Sequence, residues 1–426
     1  MDDGGRTLKR LAVCLIALVL VCGACRGRAA APQAPTQTTP ASSPATADAA
    51  KLGLHATAST GDQRYVVILA DFPDVKRQYP VETTSRRMGE LLGLYFQEAS
   101  YGKLRLAGDV VGPYVMPHPV EYYRISARNL EVDPKKLTSL ITDVVNAADK
   151  EVDFNRYDYV LLGLGANQSD YGMVGLCALP GMLAFQSGVV FKSPGGEAID
   201  NVALFCENAH IGTFIHDTAH MIGGYAGNQR LTPCLYDHDL QMLYPTGEEA
   251  FKTVVNMGFW DPLSSHFPYN KELPPAGLSS WTKLRLNWID ADQIALVKVG
   301  ETATVTLDPL TSKNATTLVI RIPVSDTTYY LVENRQAVSS DANLPTSGIL
   351  VLYADDTVLE CRQGKAPVRI MDANPAAPYM NDATYDLGKV DRYVDTKNNI
   401  AIILEGKDGL SYRIRVTTAD KAGTAS

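Results

Sequence analysis

The amino-acid sequence predicts an α/β body followed by an all-β, sandwich-like region. Between residues 63 and 292, apolar runs of strand length alternate with segments of helical periodicity, a pattern typical of a sheet packed against helices. Beyond residue 292, short strand-like runs follow one another, separated by turns rich in Pro, Gly, Asn and Asp. The two predicted domains are therefore residues 63–292 and 293–420.

The composition is that of a globular protein and excludes one large function class. Of the 426 residues, 46% are hydrophobic and 20% are charged, so the chain can bury a sizeable core. The 39 Lys and Arg against 47 Asp and Glu give a net charge of −8. Because affinity for nucleic acid depends on clustered Lys and Arg, we expect no nucleic-acid partner.

The first predicted strand is the apolar run of residues 65–70, which ends at Asp71. Apolar residues then recur at helical spacing over residues 88–96, and Gly102 supplies a stop. Asp133 and Pro134 open a second helix, because Asp is a favoured N-cap and Pro a favoured first helical residue.

Two further strands are predicted over residues 157–162 and 198–205. A helix follows from about residue 208 to residue 222 and is stopped by Gly223-Gly224. The strands predicted for the later region are residues 302–307, 317–322, 329–333, 348–353, 400–404 and 411–416. Glu333 and Arg335 share one face of a strand, where we expect a structural ion pair.

The first 25 residues are predicted to be a signal peptide of the lipoprotein type. Three basic residues precede the uncharged apolar stretch 11–24, which is too short to span a bilayer. The small residues before Cys25 resemble a lipobox, so Cys25 is expected to carry a lipid, although Cys22 stands where an aliphatic residue is usual. Cleavage without lipidation is the alternative. Residues 26–62, rich in Ala, Pro, Thr and Ser, are predicted to be a disordered linker.

These features predict export from a bacterial cell, either as a membrane-anchored lipoprotein or as an extracellular protein. The four cysteines after Cys25 form an even set, which suits an oxidising compartment without demanding disulfides. They are Cys177, Cys206, Cys234 and Cys361.

The segment His216-Asp217-Thr218-Ala219-His220 carries the predicted chemistry. On a helix the two histidines, four residues apart, project from one face and can bind one metal ion. An acidic residue directly after the first His is the arrangement of the H-E-x-x-H zinc-peptidase motif, in which the carboxylate acts as general base. Such a pair also arises by chance, but a buried helix that ends at Gly223-Gly224 strengthens the prediction.

From about residue 64 to residue 418 the chain resembles the immune inhibitor A family of secreted bacterial zinc metallopeptidases. The resemblance lies in an ordered series of short blocks, of which the histidine motif with Gly223 is one. The other blocks are residues 65–73, 95–96 with 100–104, 233–237, 256–261, 278–288, 330–336 and 344–350. The resemblance implies a zincin-like (metzincin-like) catalytic domain with a mixed sheet and an active-site helix, one catalytic zinc ion and a protein or peptide substrate. It also implies that Met257 forms a hydrophobic floor under the site.

Two departures from that family bear on activity. Asp217 replaces Glu, which draws the carboxylate back by one methylene, roughly 1.5 Å. A misplacement of about 1 Å can lower a rate on the order of a hundredfold. The family's third ligand would fall at Ala226, which cannot bind a metal. If residues 233–237 are the displaced equivalent of the family's block, Cys234 takes the ligand position.

The sequence leaves the third ligand open. A Cys234 thiolate is a good zinc ligand, but a disulfide to another cysteine is the alternative. His238 is a further candidate, with Asp239 available to orient it, and Asp237 and Glu249 also carry suitable donor atoms.

Two hypotheses of function follow. In the first, the chain is an exported metallopeptidase-like protein in which His216 and His220 bind zinc and Asp217 stands where the base belongs, weakened by its length. In the second, it is a catalytically inactive relative that serves as a cell-surface peptide-binding or attachment module. We expect a monomer that contacts a membrane only through a lipid at Cys25.

Overall fold

A computed structural model of the chain describes residues 59–180, 189–226, 229–268 and 273–423. The predicted signal peptide with Cys25, and most of the predicted linker, lie outside the described residues. The first strand begins at Gly61, two residues before the predicted start of the α/β domain. No helix in the described ranges is both long enough and apolar enough to cross a membrane.

The α/β body is built on a five-stranded mixed sheet. Its region contains strands β1 (Gly61–Asp71), β2 (Leu104–Val115), β3 (Tyr159–Leu164), β4 (Gly175–Leu179), β5 (Phe191–Lys192), β6 (Ala198–Ile199) and β7 (Val202–Cys206). The spatial order of the sheet is β2-β1-β3-β7-β4, and β5 pairs with β6 as a separate ribbon. Strands β2, β1, β3 and β7 run parallel, whereas β4 is antiparallel to β7 and forms one edge.

Helices cover both faces of this sheet. They are α1 (Val81–Arg86), α2 (Leu92–Ala99), α3 (Val120–Tyr123), α4 (Pro134–Ala148), α5 (Gln168–Tyr171) and α6 (Ile211–Gly223), with a π-helical turn between α1 and α2. Because successive strand side chains point to opposite faces, β1 contributes alternately to two hydrophobic clusters. Odd-numbered residues from Tyr65 to Leu69 pack with α2 and α6, and even-numbered residues from Val66 to Ala70 pack with α4.

The predicted start of α4 is confirmed. The Asp133 carboxylate accepts a hydrogen bond from the backbone N–H of Lys135 at 2.8 Å, and Pro134 is the first helical residue. The buried face of the helix is the apolar stripe that its periodicity predicts: Leu137, Leu140, Ile141, Val144 and Val145.

Short elements connect the body to the later region. They are the ribbon β8 (Tyr225–Ala226) and β9 (Gln229–Arg230), and helices α7 (His238–Leu243) and α8 (Ser280–Arg285). One residue, Gly224, separates the ribbon from the end of α6. The ribbon therefore lies between the histidine helix and residues 233–237.

The later region consists mostly of strands, as predicted. They are β10 (Ile294–Leu296), β11 (Ala303–Leu307), β12 (Val319–Pro323), β13 (Thr328–Arg335), β14 (Gly348–Asp355), β15 (Val368–Ile370), β16 (Arg392–Asp395), β17 (Ile400–Asp408) and β18 (Ser411–Thr417). One sheet has the order β10-β12-β13-β14-β15 and the other β11-β18-β17-β16. A single hydrophobic cluster contains side chains from both sheets, such as Val332 and Ile414. The cluster around α2 and α6 also includes residues of β13 and β14, so one core extends across the predicted domain boundary.

Arg335 at the end of β13 is the centre of a buried charge network. Its side chain is fully buried, and all five of its N–H groups are hydrogen-bonded. The acceptors are the carboxylates of Asp341 and Glu333 and the carbonyl oxygens of Trp260 and Gly277, at 2.7–2.9 Å. The predicted Glu333–Arg335 ion pair is confirmed, and it is part of a larger network that joins β13 to the segment before α8.

We expect Arg335→Met to lower the free energy of unfolding by about 3–5 kcal/mol, because it leaves two buried carboxylates without a cation. Chemical denaturation followed by circular dichroism measures this. Arg413→Met is the matched control, since that arginine pairs with Glu405 at the surface and its side chain is 58% exposed. An equal decrease in the free energy of unfolding in both variants would contradict the structural role of Arg335.

Candidate functional site

Helix α6 carries both predicted histidine ligands and is buried from its second residue to its last. It packs against β4, β7 and α2. His216 and His220 are 1% and 0% exposed and lie one turn apart on the same face. The helix ends at Gly223, and Gly224 follows with φ of 66°, a conformation that favours glycine. The predicted helix and its stop signal are therefore confirmed.

Two backbone carbonyls orient the imidazole rings. His216 Nδ1 lies 2.8 Å from the Pro262 oxygen, and His220 Nδ1 lies 2.5 Å from the Thr232 oxygen. A carbonyl oxygen only accepts hydrogen bonds, so each Nδ1 carries the proton and each Nε2 presents a lone pair. The two Nε2 atoms face each other at 2.9 Å. Two lone pairs at this distance repel each other unless a cation or a proton lies between them.

The third donor is brought to the histidines by a close contact between the backbone of α6 at Gly223 and the side chain of Thr232. A Cβ atom at Gly223 would lie 2.0 Å from Thr232 Oγ1, so this position has no room for a larger residue. The Thr232 hydroxyl donates to the Ala219 carbonyl at 2.8 Å and holds the segment after β9 against α6. Cys234 follows two residues later.

Cys234 completes a buried cluster of three donors with His216 and His220. Its Sγ atom lies 3.6 Å from His216 Nε2 and 3.4 Å from His220 Nε2. All four cysteines of the described residues are free thiols, so the disulfide alternative for Cys234 is wrong.

The donor set of this cluster fits a metal ion. The three ligand atoms lie within 4.8 Å of one another and all three residues are buried. Tetrahedral zinc bonds of about 2.1 Å to nitrogen and 2.3 Å to sulfur separate the ligand atoms by roughly 3.4–3.6 Å. The two sulfur–nitrogen distances match this range, and the nitrogen–nitrogen distance of 2.9 Å is shorter. Burial lowers the pKa of both histidines well below the ordinary value and keeps the rings neutral, as a ligand requires. His216, His220 and Cys234 could therefore hold a metal ion.

Arg230 modifies the electrostatics of the cluster. Burial raises the pKa of the Cys234 thiol to about 11, whereas the positive charge of Arg230 opposes the shift and favours the thiolate. The same charge disfavours protonation of His220. Arg230 therefore favours the protonation states in which these side chains bind a metal.

Asp217, the predicted base, has two carboxylate oxygens with different environments. Oδ1 accepts a hydrogen bond from the backbone N–H of Cys177 in β4 at 3.0 Å. Oδ2 is buried and has no hydrogen-bond partner among the described residues. Burial raises the pKa of Asp217 to about 7, although Arg230 and the Cys177 amide oppose the shift. A Cβ at Gly175 would lie 3.0 Å from Oδ2, so the glycine keeps space beside this oxygen.

The other ligand candidates lie outside the cluster. His238 is the first residue of α7, and its Nδ1 lies 2.7 Å from Asn129 Nδ2, which donates to it. Asp237 caps α7, accepting from the backbone N–H groups of Asp239 and Leu240. Glu249 forms a surface pair with Lys252. Asp239 does not orient His238 as predicted, because its carboxylate pairs with Arg362.

Met257 is fully buried in the same core cluster as Ala219 of α6. The ring of His266 lies against that of His216, with centroids 3.9 Å apart. His266 Nε2 is buried and has no partner among the described residues. The loop that carries His266 is therefore part of the site.

A cavity of about 350 Å³ opens beside the cluster. The predicted residues in its wall are His216, Asp217, His220, Cys234 and His238, and His266 lines it as well. The wall also contains Arg230, Asn129 and Tyr236, to which no sequence motif assigned a role. Arg230 is the single basic residue between Gly223 and Cys234, which is the sequence signal that could have pointed toward it.

No model of a known protein family matches the chain, and no curated protein matches it.

We expect the purified protein to bind one transition-metal ion. His220→Ala and Cys234→Ser should each weaken binding by more than about 100-fold, because loss of a ligand exceeds the effect of losing an outer-shell contact. Metal analysis by mass spectrometry, together with the thiolate-to-cobalt charge-transfer band of the cobalt form, measures this. Cys206→Ala is the control, since that thiol is buried but outside the cluster. Unchanged affinity in Cys234→Ser would exclude the thiolate as a ligand.

His238 makes the stability of the fold depend on pH. Burial first, then Arg230 and Arg362, lower its pKa to about 4, and Asp237 and Asp239 only partly offset this. The unfolded chain therefore binds the proton more tightly. Titration of His238 therefore leaves the free energy of unfolding unchanged above about pH 6.5. As the pH falls toward 4, it lowers that free energy by up to about 3 kcal/mol.

The test is His238→Gln, which retains an acceptor for Asn129. Denaturation curves between pH 4 and pH 7 should show a shallower loss of stability in this variant than in the wild type. Parallel curves would contradict a neutral, buried His238.

Proposed function

We propose that the protein is an exported, zinc-dependent hydrolase of peptide bonds. The observation that carries the proposal is the convergence of His216 Nε2, His220 Nε2 and Cys234 Sγ on one point beside a cavity. The unpaired oxygen of Asp217 belongs to the same cavity wall. The resemblance to the immune inhibitor A family supports a zincin-like fold for the mixed sheet and α6.

Zinc is the metal that this donor set favours. Calcium and magnesium prefer oxygen ligands, whereas zinc binds imidazole nitrogen and thiolate sulfur readily. Three protein ligands are also the usual number in catalytic zinc sites, which keep one position open, while structural sites use four. When bound, the metal acts as a Lewis acid toward a carbonyl group and toward water.

The chain's own residues would orient the substrate and move a proton. The Cys177 amide holds Asp217 Oδ1 and so fixes the carboxylate plane, which leaves Oδ2 to accept a proton. The carbonyls of Pro262 and Thr232 hold the two imidazoles in one tautomer. Apolar side chains of the cavity wall, among them Leu176 and Phe251, limit the access of water.

A peptide-binding module without catalytic activity is the second candidate. It is favoured by the hydrogen bond between Asp217 Oδ1 and the Cys177 amide of β4. The Asp217 side chain is one methylene shorter than Glu, and this bond gives one of its two oxygens a structural role. In this case the cavity would bind peptides without cleaving them.

We infer secretion from a bacterial cell, with a lipid at Cys25 as the only contact with a membrane, and a monomeric protein that acts on proteins or peptides.

The Asp217→Glu variant tests the hydrolase proposal. We expect the processed full-length protein to cleave labelled casein slowly, and Asp217→Glu to cleave it about 10- to 100-fold faster, because the longer side chain restores the reach of the base. Asp217→Asn should have no activity but an unchanged zinc content, which is the matched control. If Asp217→Glu binds zinc and cleaves no faster than Asp217→Asn, the binding-module candidate is favoured instead. Folded wild-type protein that binds no zinc would overturn the proposal.

A further inference from the structure

Arg230 places a positive charge in the wall of the cavity. It is the only Lys or Arg among the described residues that line it. It is partly buried, and its charge acts on Asp217, Cys234 and His220. The guanidinium therefore lies close to the metal-binding cluster and is still accessible from the cavity.

Two backbone carbonyls hold the guanidinium in a defined orientation. Nε donates to the Pro180 carbonyl at 3.0 Å, and Nη2 donates to the Cys177 carbonyl at 2.8 Å. Nη1 has no hydrogen-bond partner among the described residues. Because a guanidinium is planar and has five N–H donors, fixing one edge leaves the Nη1 donors oriented for a further acceptor.

The hydrogen bond from Arg230 to Cys177 also blocks part of the edge of β4. An extended peptide can add to the edge of a sheet through main-chain hydrogen bonds, and β4 is an edge strand of the sheet that the described residues form. At Cys177, however, the N–H is bonded to Asp217 and the carbonyl oxygen to Arg230. A peptide chain cannot pair with β4 past this point without displacing both side chains. A substrate is therefore expected to end near Arg230.

We propose that the cavity binds the carboxyl-terminal end of a peptide, with Arg230 recognising the free carboxylate. The inference rests on the proposed function and specifies its substrate class: the protein hydrolyses a peptide bond close to a free carboxyl terminus. In that reaction the C–N bond breaks, water supplies a hydroxyl group to the acyl carbon, and a proton passes to the leaving amine. A planar carboxylate matches the donor geometry of a guanidinium.

The test compares two substrates that differ only at the carboxyl terminus. Furylacryloyl-Phe-Phe with a free carboxylate should be hydrolysed with a kcat/KM about 10- to 100-fold higher than its carboxyl-terminal amide, since a hydrogen bond to a charged group is worth that much. The difference should lie mainly in KM. Equal kcat/KM for acid and amide in a zinc-loaded, casein-cleaving protein would overturn the inference and leave the proposed function intact.

Variants at position 230 separate recognition from structure. Arg230→Gln should reduce the ratio of acid to amide toward 1, and Arg230→Lys should retain part of the preference because it keeps the charge. Arg413→Gln, on the exposed surface, is the control. A ratio that stays unchanged in Arg230→Gln would overturn the inference. If this variant does not fold, the Arg230→Lys ratio decides: an unchanged or reversed preference contradicts the role of Arg230.

A binding measurement distinguishes this inference from the proposed function. Isothermal titration of Phe-Phe and of Phe-Phe amide into wild-type protein and Arg230→Gln requires no turnover. A preference for the acid that Arg230→Gln abolishes supports carboxylate recognition even in a protein without zinc or activity. Equal binding of acid and amide by the wild type contradicts it.

Discussion

The contact between Gly223 and Thr232 is the constraint on which the site depends. No Cβ atom fits between these residues, and the contact brings three groups into place. The Thr232 hydroxyl donates a hydrogen bond to the Ala219 carbonyl near the end of α6, and the Thr232 carbonyl orients His220. The chain then continues to Cys234, whose thiol lies beside the two histidines. A small residue at one helical position therefore determines whether a distant thiol can join a histidine pair.

The later region supports the site through the Arg335 network. Arg335 bonds the carbonyl of Trp260, and the carbonyl of Pro262, two residues on, orients His216. Between them, the Asp261 carboxylate accepts hydrogen bonds from Ser279 at the start of α8. The loop that positions one candidate metal ligand is thus held by Arg335 of β13 and by Ser279, the N-cap of α8. The buried charges there set the geometry of a loop that has little regular structure.

Strand β4 is an edge strand of the sheet and also holds two side chains of the candidate site. The Cys177 N–H donates to the Asp217 carboxylate and the Cys177 carbonyl accepts from the Arg230 guanidinium, so an acidic and a basic group are both held at one residue of the edge strand. Each also keeps donor or acceptor atoms that no described residue uses. Asp217 suits this arrangement, because its short side chain reaches the edge strand while Gly175 leaves room beside its second oxygen.

Local patterns in the sequence determined the helices that begin at Pro134 and end at Gly223, the spacing of His216 and His220, and the change to a strand-rich region. Those features depend on residues a few positions apart, whose periodicity and capping are visible in the chain. Only the tertiary structure decided that Cys234 is a free thiol beside the histidines, that His238 bonds Asn129 instead, and that Arg230 reaches β4. These contacts join segments that are distant in sequence. For each side chain, the sequence offered several possible partners with the same chemistry. Which partner meets which is set by how α6, the β8–β9 ribbon and the edge strand pack.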